Sequence, residues 1–312
     1  MAYEFRVGDV TGKSLARIAR KQLRRLRGLL IEPGDQASGH HEARKCVKRL
    51  RSLLMLLRPA AGKAQWVKLD RQLAKVARAL SGPRDAMVLL QKLDLLEREN
   101  GTTALGKAGE RLRAELLAQR KSGKASAGLE TVHLKISRLK THLKLLPLKR
   151  MTMSDLLAGF EADYRAGRLA FAHAYAAGTP EAFHELRKHV QRHWRHMQLL
   201  TAGWPEEIAV RIDLAKALSE LLGEEHDFSV LRQRLGADDA DGLSRLCHAR
   251  QTALRASAHG KLALLFAERP KALRRRLAAY WEVAVELGTQ PDPDGAAVSP
   301  ASVKLSRRQL TS

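Results

Sequence analysis

A histidine followed by a glutamate and two cations occurs twice in the chain. His41-Glu-Ala-Arg-Lys45 returns as His184-Glu-Leu-Arg-Lys188, at an offset of 143 residues. Arginine presents a planar fork of N–H donors that matches phosphate oxygens, and lysine presents a mobile positive charge. A histidine beside a phosphate group binds a proton more readily and becomes a further cation. The motif therefore predicts binding of anions, and its repetition favours this over simple packing of each histidine at a helix start.

Helical spacing gathers these cations on one side of each motif. At 100° per residue, the cations after His41 fall within about 80° of it, opposite the apolar side chains. We place His41 and His184 in the first turns of their helices, where free backbone N–H groups also attract anions. Solvated helix faces normally mix charges, whereas each of these stripes has a single glutamate at its edge. Gln191 and Trp194 stand where the first copy has cations, so the second stripe is expected to be weaker. The stripes comprise His41, Arg44, Lys45, Lys48, Arg49 and Arg51 in the first copy and His184, Arg187, Lys188, Arg192 and Arg195 in the second.

A second pair of matching segments follows the two motifs. Ser-Gly-Pro-Arg-Asp85 parallels Gly-Glu-Glu-His-Asp227, at an offset of 142 residues. Two matches at nearly one offset indicate an internal repeat, which predicts two similar helical halves related by a pseudo-two-fold axis. Each aspartate follows a predicted helix break and precedes an apolar run. The break is Ser81-Gly82-Pro83 in the first half and Gly223 in the second. We therefore predict that both aspartates cap helices rather than act as catalytic acids.

Most of the chain has the period of amphipathic helices. Hydrophobic residues make up 45% of the chain and aromatic residues only 4%, a balance that favours helices over strands. Predicted helices cover about 13–30, 41–58, 66–80, 104–121, 129–146, 154–177 and the segment from 179 onward. In the third of these, an apolar face of Leu69, Leu73, Val76 and Leu80 lies opposite a basic face of Lys68, Arg71, Lys75 and Arg78.

These elements predict an all-α protein made of two tandem helical bundles around a basic cleft. The first half covers residues 1–150 and the second half residues 151–288. Residues 289–312 contain Pro, Gly and Ser without periodicity, so we predict a disordered tail. The first helix adds Arg17, Lys21 and Arg24 to the cations that we expect to bind the anionic partner.

Charge and cysteine content limit the class of protein. The net charge is +23, and residues 1–150 hold 34 Lys+Arg against 13 Asp+Glu, whereas residues 151–312 hold 22 against 20. Such an excess implies an anionic partner, and the first half must supply most of the long-range attraction. Two cysteines without a CxxC pair argue against a disulfide framework or a zinc finger. With no apolar signal segment at the N-terminus and no apolar run of about 20 residues, we expect a cytoplasmic protein without membrane insertion.

Two patterns resemble sites that we do not predict. Residues 101–108 nearly match a phosphate-binding loop, but Ala108 stands in place of the Mg²⁺-binding Ser or Thr, and the preceding segment is helical rather than a strand. His189, His193 and His196 have a spacing that could bind a metal. They face the apolar side of their helix, which favours a packed role or a role between the halves. No catalytic arrangement stands out, so we expect neither a metal nor a cofactor.

The repeated motifs, the Pro-Arg-Asp85 and Glu-His-Asp227 turns, Tyr164-Arg-Ala-Gly-Arg168 and Phe266-Ala-Glu-Arg-Pro270 together resemble the conserved histidine α-helical domain, CHAD. The resemblance covers roughly residues 5–288. It implies two helical bundles around a basic cavity that binds long-chain inorganic polyphosphate, and an association with polyphosphate granules. By position it assigns binding to the two stripes apart from Arg195, and its second-half segment adds Arg165 and Arg168. The triphosphate-tunnel domain to which CHAD proteins are sometimes fused is not found in this sequence.

The sequence thus predicts a non-enzymatic polyphosphate-binding protein. A nucleic-acid-binding protein is the alternative, because basic helices also bind phosphodiester backbones. Scarce aromatic residues and the lack of a known reader motif weigh against that alternative. A phosphohydrolase would need carboxylates that hold Mg²⁺ near the basic stripes, and no such set is evident.

Overall fold

A computed structural model describes residues 3–31, 36–59, 62–80, 83–101, 103–121, 136–142, 146, 148–235 and 242–289. Every regular element in these ranges is helical, which confirms the predicted all-α class. The long helices are α1 (Thr11–Ile31), α2 (Gln36–Leu56), α3 (Lys63–Ala79), α4 (Pro83–Asn100), α5 (Gly106–Lys121), α6 (Met153–Ala177), α7 (Pro180–Leu200), α8 (Pro205–Leu235), α9 (Leu243–Leu265) and α10 (Pro270–Thr289). Shorter helical segments lie at 136–142, Leu148–Arg150 and Thr201–Gly203. Most of the helix predicted at 129–146, and all but the first residue of the predicted tail, lie outside the described residues.

Local signals set the start of α6 and the boundary between α6 and α7. The Thr152 hydroxyl accepts a hydrogen bond from the Asp155 backbone N–H, and the Asp155 carboxylate accepts one from the Thr152 N–H, so the two residues form a capping box. Gly178 ends α6 in the left-handed conformation with φ of 65°, where a side chain would be strained. The Thr179 hydroxyl then caps α7, and Pro180 occupies its first turn, as the sequence predicts.

The predicted position of both motif histidines at helix starts is wrong. Helix α2 begins at Gln36, so His41 is its sixth residue, and α7 begins at Pro180, so His184 is its fifth. At these positions the backbone N–H groups already donate within the helix. Any anion at these histidines must therefore be bound by side chains.

The predicted capping role of Asp227 is also wrong. Helix α8 runs without a break from Pro205 to Leu235, so Asp227 lies inside it. A glycine inside a helix costs about 1 kcal/mol relative to alanine. Burial of Leu222 and Phe228 on either side of Gly223 outweighs that cost. Asp85 lies in the first turn of α4 rather than at its N-cap, and its side chain lies outside the described residues.

Two clusters of buried side chains form the core, and each contains residues from both halves of the sequence. The larger joins α1, α2 and α3 to α6, α7 and α10, as the shared burial of Leu50 and Leu186 illustrates. The smaller joins α4 and α5 to the end of α8 and the start of α9, around Leu93 and Phe228. With 31 residues, α8 is about 46 Å long and reaches both clusters. None of the helices in the described ranges combines the length and the apolar character needed to cross a membrane.

Helices α2, α6 and α7 meet at a close junction between the halves. An ideal Cβ built on Gly159 of α6 would lie 2.1 Å from the backbone oxygen of Leu56, so only glycine allows this approach. His196 Nε2 lies 2.8 Å from the backbone oxygen of Ser52, which ties α7 to α2. This contact places His196 between the halves, which is one of the two roles that the sequence leaves open for the three histidines. In the described part of the chain, no group of three or more His, Cys, Asp or Glu side chains is arranged to hold a metal ion.

Candidate functional site

The two motif helices contact each other, and several of their cations come together. The Lys48 ammonium on α2 interacts electrostatically with Arg187 and Arg195 of α7 and with Arg44 of its own helix. His226 of α8 interacts with Lys48 and Arg187 in the same way. We call these five residues, together with His184 and Lys188, which also interact with His226, the inner set: Arg44, Lys48, His184, Arg187, Lys188, Arg195 and His226.

Three cations of the inner set, Lys48, Arg187 and Arg195, are held at an energetic cost. Burial, followed by the charges of Arg187, Arg195 and Arg44, lowers the pKa of Lys48 to about 7, so this amine is only partly charged at neutral pH. Burial also lowers the pKa of Arg195, to about 10, and only 7% of this residue is exposed. In the described residues Lys48, Arg187 and Arg195 have no ion pair within 4 Å. An anion placed among them would relieve both the desolvation and the mutual repulsion.

Two imidazoles lie against each other beside these cations. The rings of His184 and His226 are 4.4 Å apart between centroids and tilted by 32°. Burial is the main cause that lowers the pKa of His184, and burial with the Arg187 charge lowers the pKa of His226 to about 4. Both rings are therefore neutral at pH 7 without a ligand. The buried Nδ1 of His184 and Nε of Arg187 have no hydrogen-bond partner in the described structure.

Glycine at position 223 makes room for one guanidinium of the inner set. An ideal Cβ on Gly223 would lie 3.2 Å from an Nη atom of Arg187, tighter than most contacts of real Cβ atoms. Asp227, one turn further along α8, and Glu225 are the carboxylates whose charges favour the protonated form of Arg187. The residue that the sequence marks as a helix break thus leaves room for a side chain that the sequence predicts to bind the anion.

The other predicted cations of the first half have neighbours outside the inner set. Lys45 pairs with Glu42 at 2.7 Å, Arg51 with Asp70 at 2.9 Å, and Arg17 with Asp9 at 3.6 Å. The Arg49 guanidinium lies 5.5 Å from the centre of the Tyr3 ring, and its charge reaches Arg195. His41 and Lys21 are partly buried, and Arg24 is exposed. These residues remain predicted contacts for an anion that extends beyond the inner set.

In the second half, several predicted residues are bound to acidic side chains. Arg192 donates to both oxygens of the buried Asp163, at 2.9 and 3.1 Å. Although burial raises the pKa of Asp163, His189 and Arg192 lower it to about 2, so the pair stays charged. Lys188 pairs with Glu185, and Arg165 pairs with Glu161. Arg168 is partly buried on α6, and its charge acts on Tyr164. The spacing of the motif places Arg192 on the stripe. Its partner Asp163 lies 29 residues away in the sequence, so this contact is found only in the structure.

A protein-family model described as the CHAD domain matches residues 15–236. The chain belongs to the CHAD family. The matched range of this CHAD chain contains the whole inner set and both motif helices. Among solved structures it is similar to PptA from Streptomyces chartreusis, with a TM-score of 0.52 and 15% sequence identity over 89% of this chain and 98% of that chain. At that identity the likeness concerns the fold. No curated protein matches the CHAD chain described here.

Proposed function

We propose that this CHAD protein binds inorganic polyphosphate through the inner set, without changing the polymer, and that it accumulates at polyphosphate granules. The observation that carries the proposal is the meeting of Lys48, Arg187 and Arg195, drawn from both halves and without ion pairs in the described residues. Polyphosphate offers a negative charge at every phosphate along a thin, flexible chain. It therefore suits a compact group of cations better than a ligand with few charges does.

Nucleic acid is the alternative ligand, and the side chains of the inner set favour it less. Proteins that hold single-stranded nucleic acids stack bases on aromatic side chains. The inner set contains arginines, lysines and histidines, and Tyr3 beside it is buried, with its hydroxyl donating to the Arg49 carbonyl. Polyphosphate needs only the charge-assisted hydrogen bonds that arginine and lysine supply.

The carboxylates near the inner set support binding rather than hydrolysis. A metal-dependent phosphohydrolase needs carboxylates that are free to hold Mg²⁺ against the phosphates. Glu225 accepts hydrogen bonds from Arg255 at 2.6 Å and from Gln251 at 3.0 Å, so its carboxylate is not free to hold Mg²⁺. Asp227 lies among cations and favours the protonated forms of Lys48 and Arg187.

A competition experiment tests the choice of ligand. Labelled long-chain polyphosphate is bound to the full chain at physiological salt and displaced by unlabelled polyphosphate or by duplex DNA at equal phosphate concentration. We expect displacement by polyphosphate at far lower phosphate concentration than by DNA. Equal displacement would favour the nucleic-acid alternative. Chain length after incubation with Mg²⁺ is checked on a gel, and shortening would contradict the non-enzymatic part of the proposal.

Affinity is expected to fall as pH rises above about 7, because of Lys48. The pKa of Lys48 is about 7 in the free protein, and a neighbouring phosphate raises it, so above pH 7 binding requires uptake of a proton. The loss can reach about tenfold per pH unit. Lys48→Arg keeps the charge but cannot lose it in this range, so titrations of this variant between pH 7 and 9 should be nearly flat. A slope equal to that of the wild type would assign the pH dependence to another group.

Gly223→Ala is expected to raise stability while weakening binding. The added methyl group favours the helix by up to about 1 kcal/mol. It also displaces the Arg187 guanidinium, and partial loss of a charge-assisted hydrogen bond should lower polyphosphate affinity by about fivefold. Gly260→Ala is the matched control, since this exposed glycine of α9 has open space around it. Thermal unfolding and a binding titration separate the two effects, and equal affinities of the two variants would refute a role for Gly223.

A further inference from the structure

One basic surface is not part of the inner set. Lys68, Arg71, Lys75 and Arg78 are all exposed on α3, and at 100° per residue they lie within about 80° of one another. The first and the last are ten positions apart, or about 15 Å along the helix axis. We call these four residues the outer stripe. The opposite face of α3 is buried, with Leu69 and Leu73 packed near Leu50 and Leu53 of α2.

The outer stripe is not balanced by acidic side chains in the described residues. Asp70 is the one carboxylate of α3, and it accepts hydrogen bonds from Arg51 of α2 at 2.9 and 3.3 Å. The four cations follow one another at spacings of three or four residues, so each neighbouring pair repels. A stripe kept solely for solubility would gain from interspersed acidic residues at these spacings.

The surroundings of the outer stripe favour a polyanion that needs charge alone. Trp66, the one aromatic residue of α3, is partly buried and donates its indole N–H to the Leu54 carbonyl at 3.0 Å, so it is not free to stack on bases. Large exposed apolar residues, which would anchor a helix in a membrane, are not found on α3 within the described residues.

We propose that the outer stripe is a second polyphosphate-contact surface, occupied by a length of polymer that lies outside the inner set. This rests on the proposed function. None of the four cations is among the charges that shift the pKa of Lys48, Arg187 or Arg195, so we treat the two surfaces as separate contacts on one flexible chain. Linked contacts raise the affinity for a chain that is long enough to reach both, and leave the affinity for a short chain unchanged.

The test compares two variants of the full chain with four substitutions each. In one, Lys68, Arg71, Lys75 and Arg78 are changed to Gln; in the control, the exposed Lys261, Arg269, Lys271 and Arg275 are changed to Gln, with the same loss of charge. Binding of tripolyphosphate, of a chain of several hundred phosphates and of duplex DNA is titrated over a range of salt concentrations. For a single-stranded polyanion, each lost phosphate contact makes the slope of log affinity against log salt shallower by about 0.7. We expect the outer-stripe variant to lose about 3 units of slope for the long chain and to bind tripolyphosphate within twofold of the wild type.

Three other results would overturn the inference. A long-chain slope equal to that of the control variant would show that the outer stripe makes no contact. Equal losses for tripolyphosphate and the long chain would show that it acts on the inner set. A loss of duplex DNA binding with unchanged long-chain polyphosphate binding would assign it to nucleic acid. If the fourfold variant loses helical circular dichroism, Arg71→Gln with Arg78→Gln replaces it, with an expected slope change of about 1.4. All these results leave the proposed function intact, since that is judged from variants of Lys48, Arg187 and Arg195.

Discussion

Changing Lys48, Arg187 and Arg195 together to Gln is expected to lower polyphosphate affinity by at least about 100-fold. Each charge-assisted hydrogen bond is worth about 1.5–3 kcal/mol, and losses at neighbouring sites add incompletely. The same substitutions remove repulsion among partly buried like charges, so the folded state should be as stable as in the wild type, or more so. Binding titration with tripolyphosphate and chemical unfolding measure the two quantities.

A matched variant separates local contacts from net charge. Arg269, Lys271 and Arg275 are exposed in the second half, and changing them to Gln removes the same three charges. Because their field at the inner set is screened by salt, the expected loss of affinity at physiological ionic strength is small. If this control loses as much affinity as the inner-set variant, the protein binds through its overall charge and the inner set has no special role.

Gly159→Ala is expected to cause the largest loss of stability, about 3 kcal/mol or more. The new Cβ would lie 2.1 Å from the Leu56 oxygen, 2.7 Å from its carbonyl carbon and 2.8 Å from its Cα. Backbone atoms cannot rotate away as a flexible side chain can, so α2 and α6 must separate and lose part of their packing. Denaturant unfolding followed by circular dichroism measures the change. Gly28→Ala on the exposed face of α1, which has open space around it, should instead be neutral or stabilising by up to about 1 kcal/mol. Equal stability of the two variants would contradict the close approach of α2 and α6.

The sequence predicts the fold class because the signals for it are local. Apolar residues at helical spacing, caps such as Thr152 and Thr179, and the glycine at position 178 act within one or two turns of the chain. The repeated motif predicts a stripe of cations on each of the two motif helices, α2 and α7. Lys48 and Arg187 are among the predicted residues, and the structure brings them together.

What the sequence does not predict depends on contacts between distant segments. In the sequence Gly223 resembles a helix break, but the helix continues because the residues on either side of it are buried. The room that Gly223 leaves for the Arg187 guanidinium depends on the packing of α8 against α7. His226 precedes the second repeated aspartate, a signal that could have identified it, but its ring contact with His184 is a property of the fold. Arg192 has the spacing of a binding residue, yet it donates to Asp163 from another helix. Periodicity shows on which face of a helix a residue lies, but not which residue of another helix it contacts.

The inner set and the outer stripe suggest why the first half of the chain is much more basic than the second. The inner set draws its cations from both halves, whereas the outer stripe and the exposed cations of α1 belong to the strongly basic first half. We expect the first half to attract a polyanion from a distance, in a salt-dependent way, and the inner set to hold it through partly buried contacts that salt screens less.

Chemical footprinting of Lys48 shows whether polyphosphate occupies the inner set. An amine with a pKa of about 7 is largely unprotonated at pH 8, so an acetylating reagent should modify Lys48 faster than an exposed lysine such as Lys271, to the extent that the reagent reaches it. Long-chain polyphosphate is then added to saturation, and binding is confirmed on the same sample. The bound polymer is expected to cover the Lys48 amine and to raise its pKa. We expect mass spectrometry to show the modification of Lys48 slowed at least about tenfold, while that of Lys271 changes little. An unchanged rate at Lys48 in the saturated complex would contradict binding at the inner set.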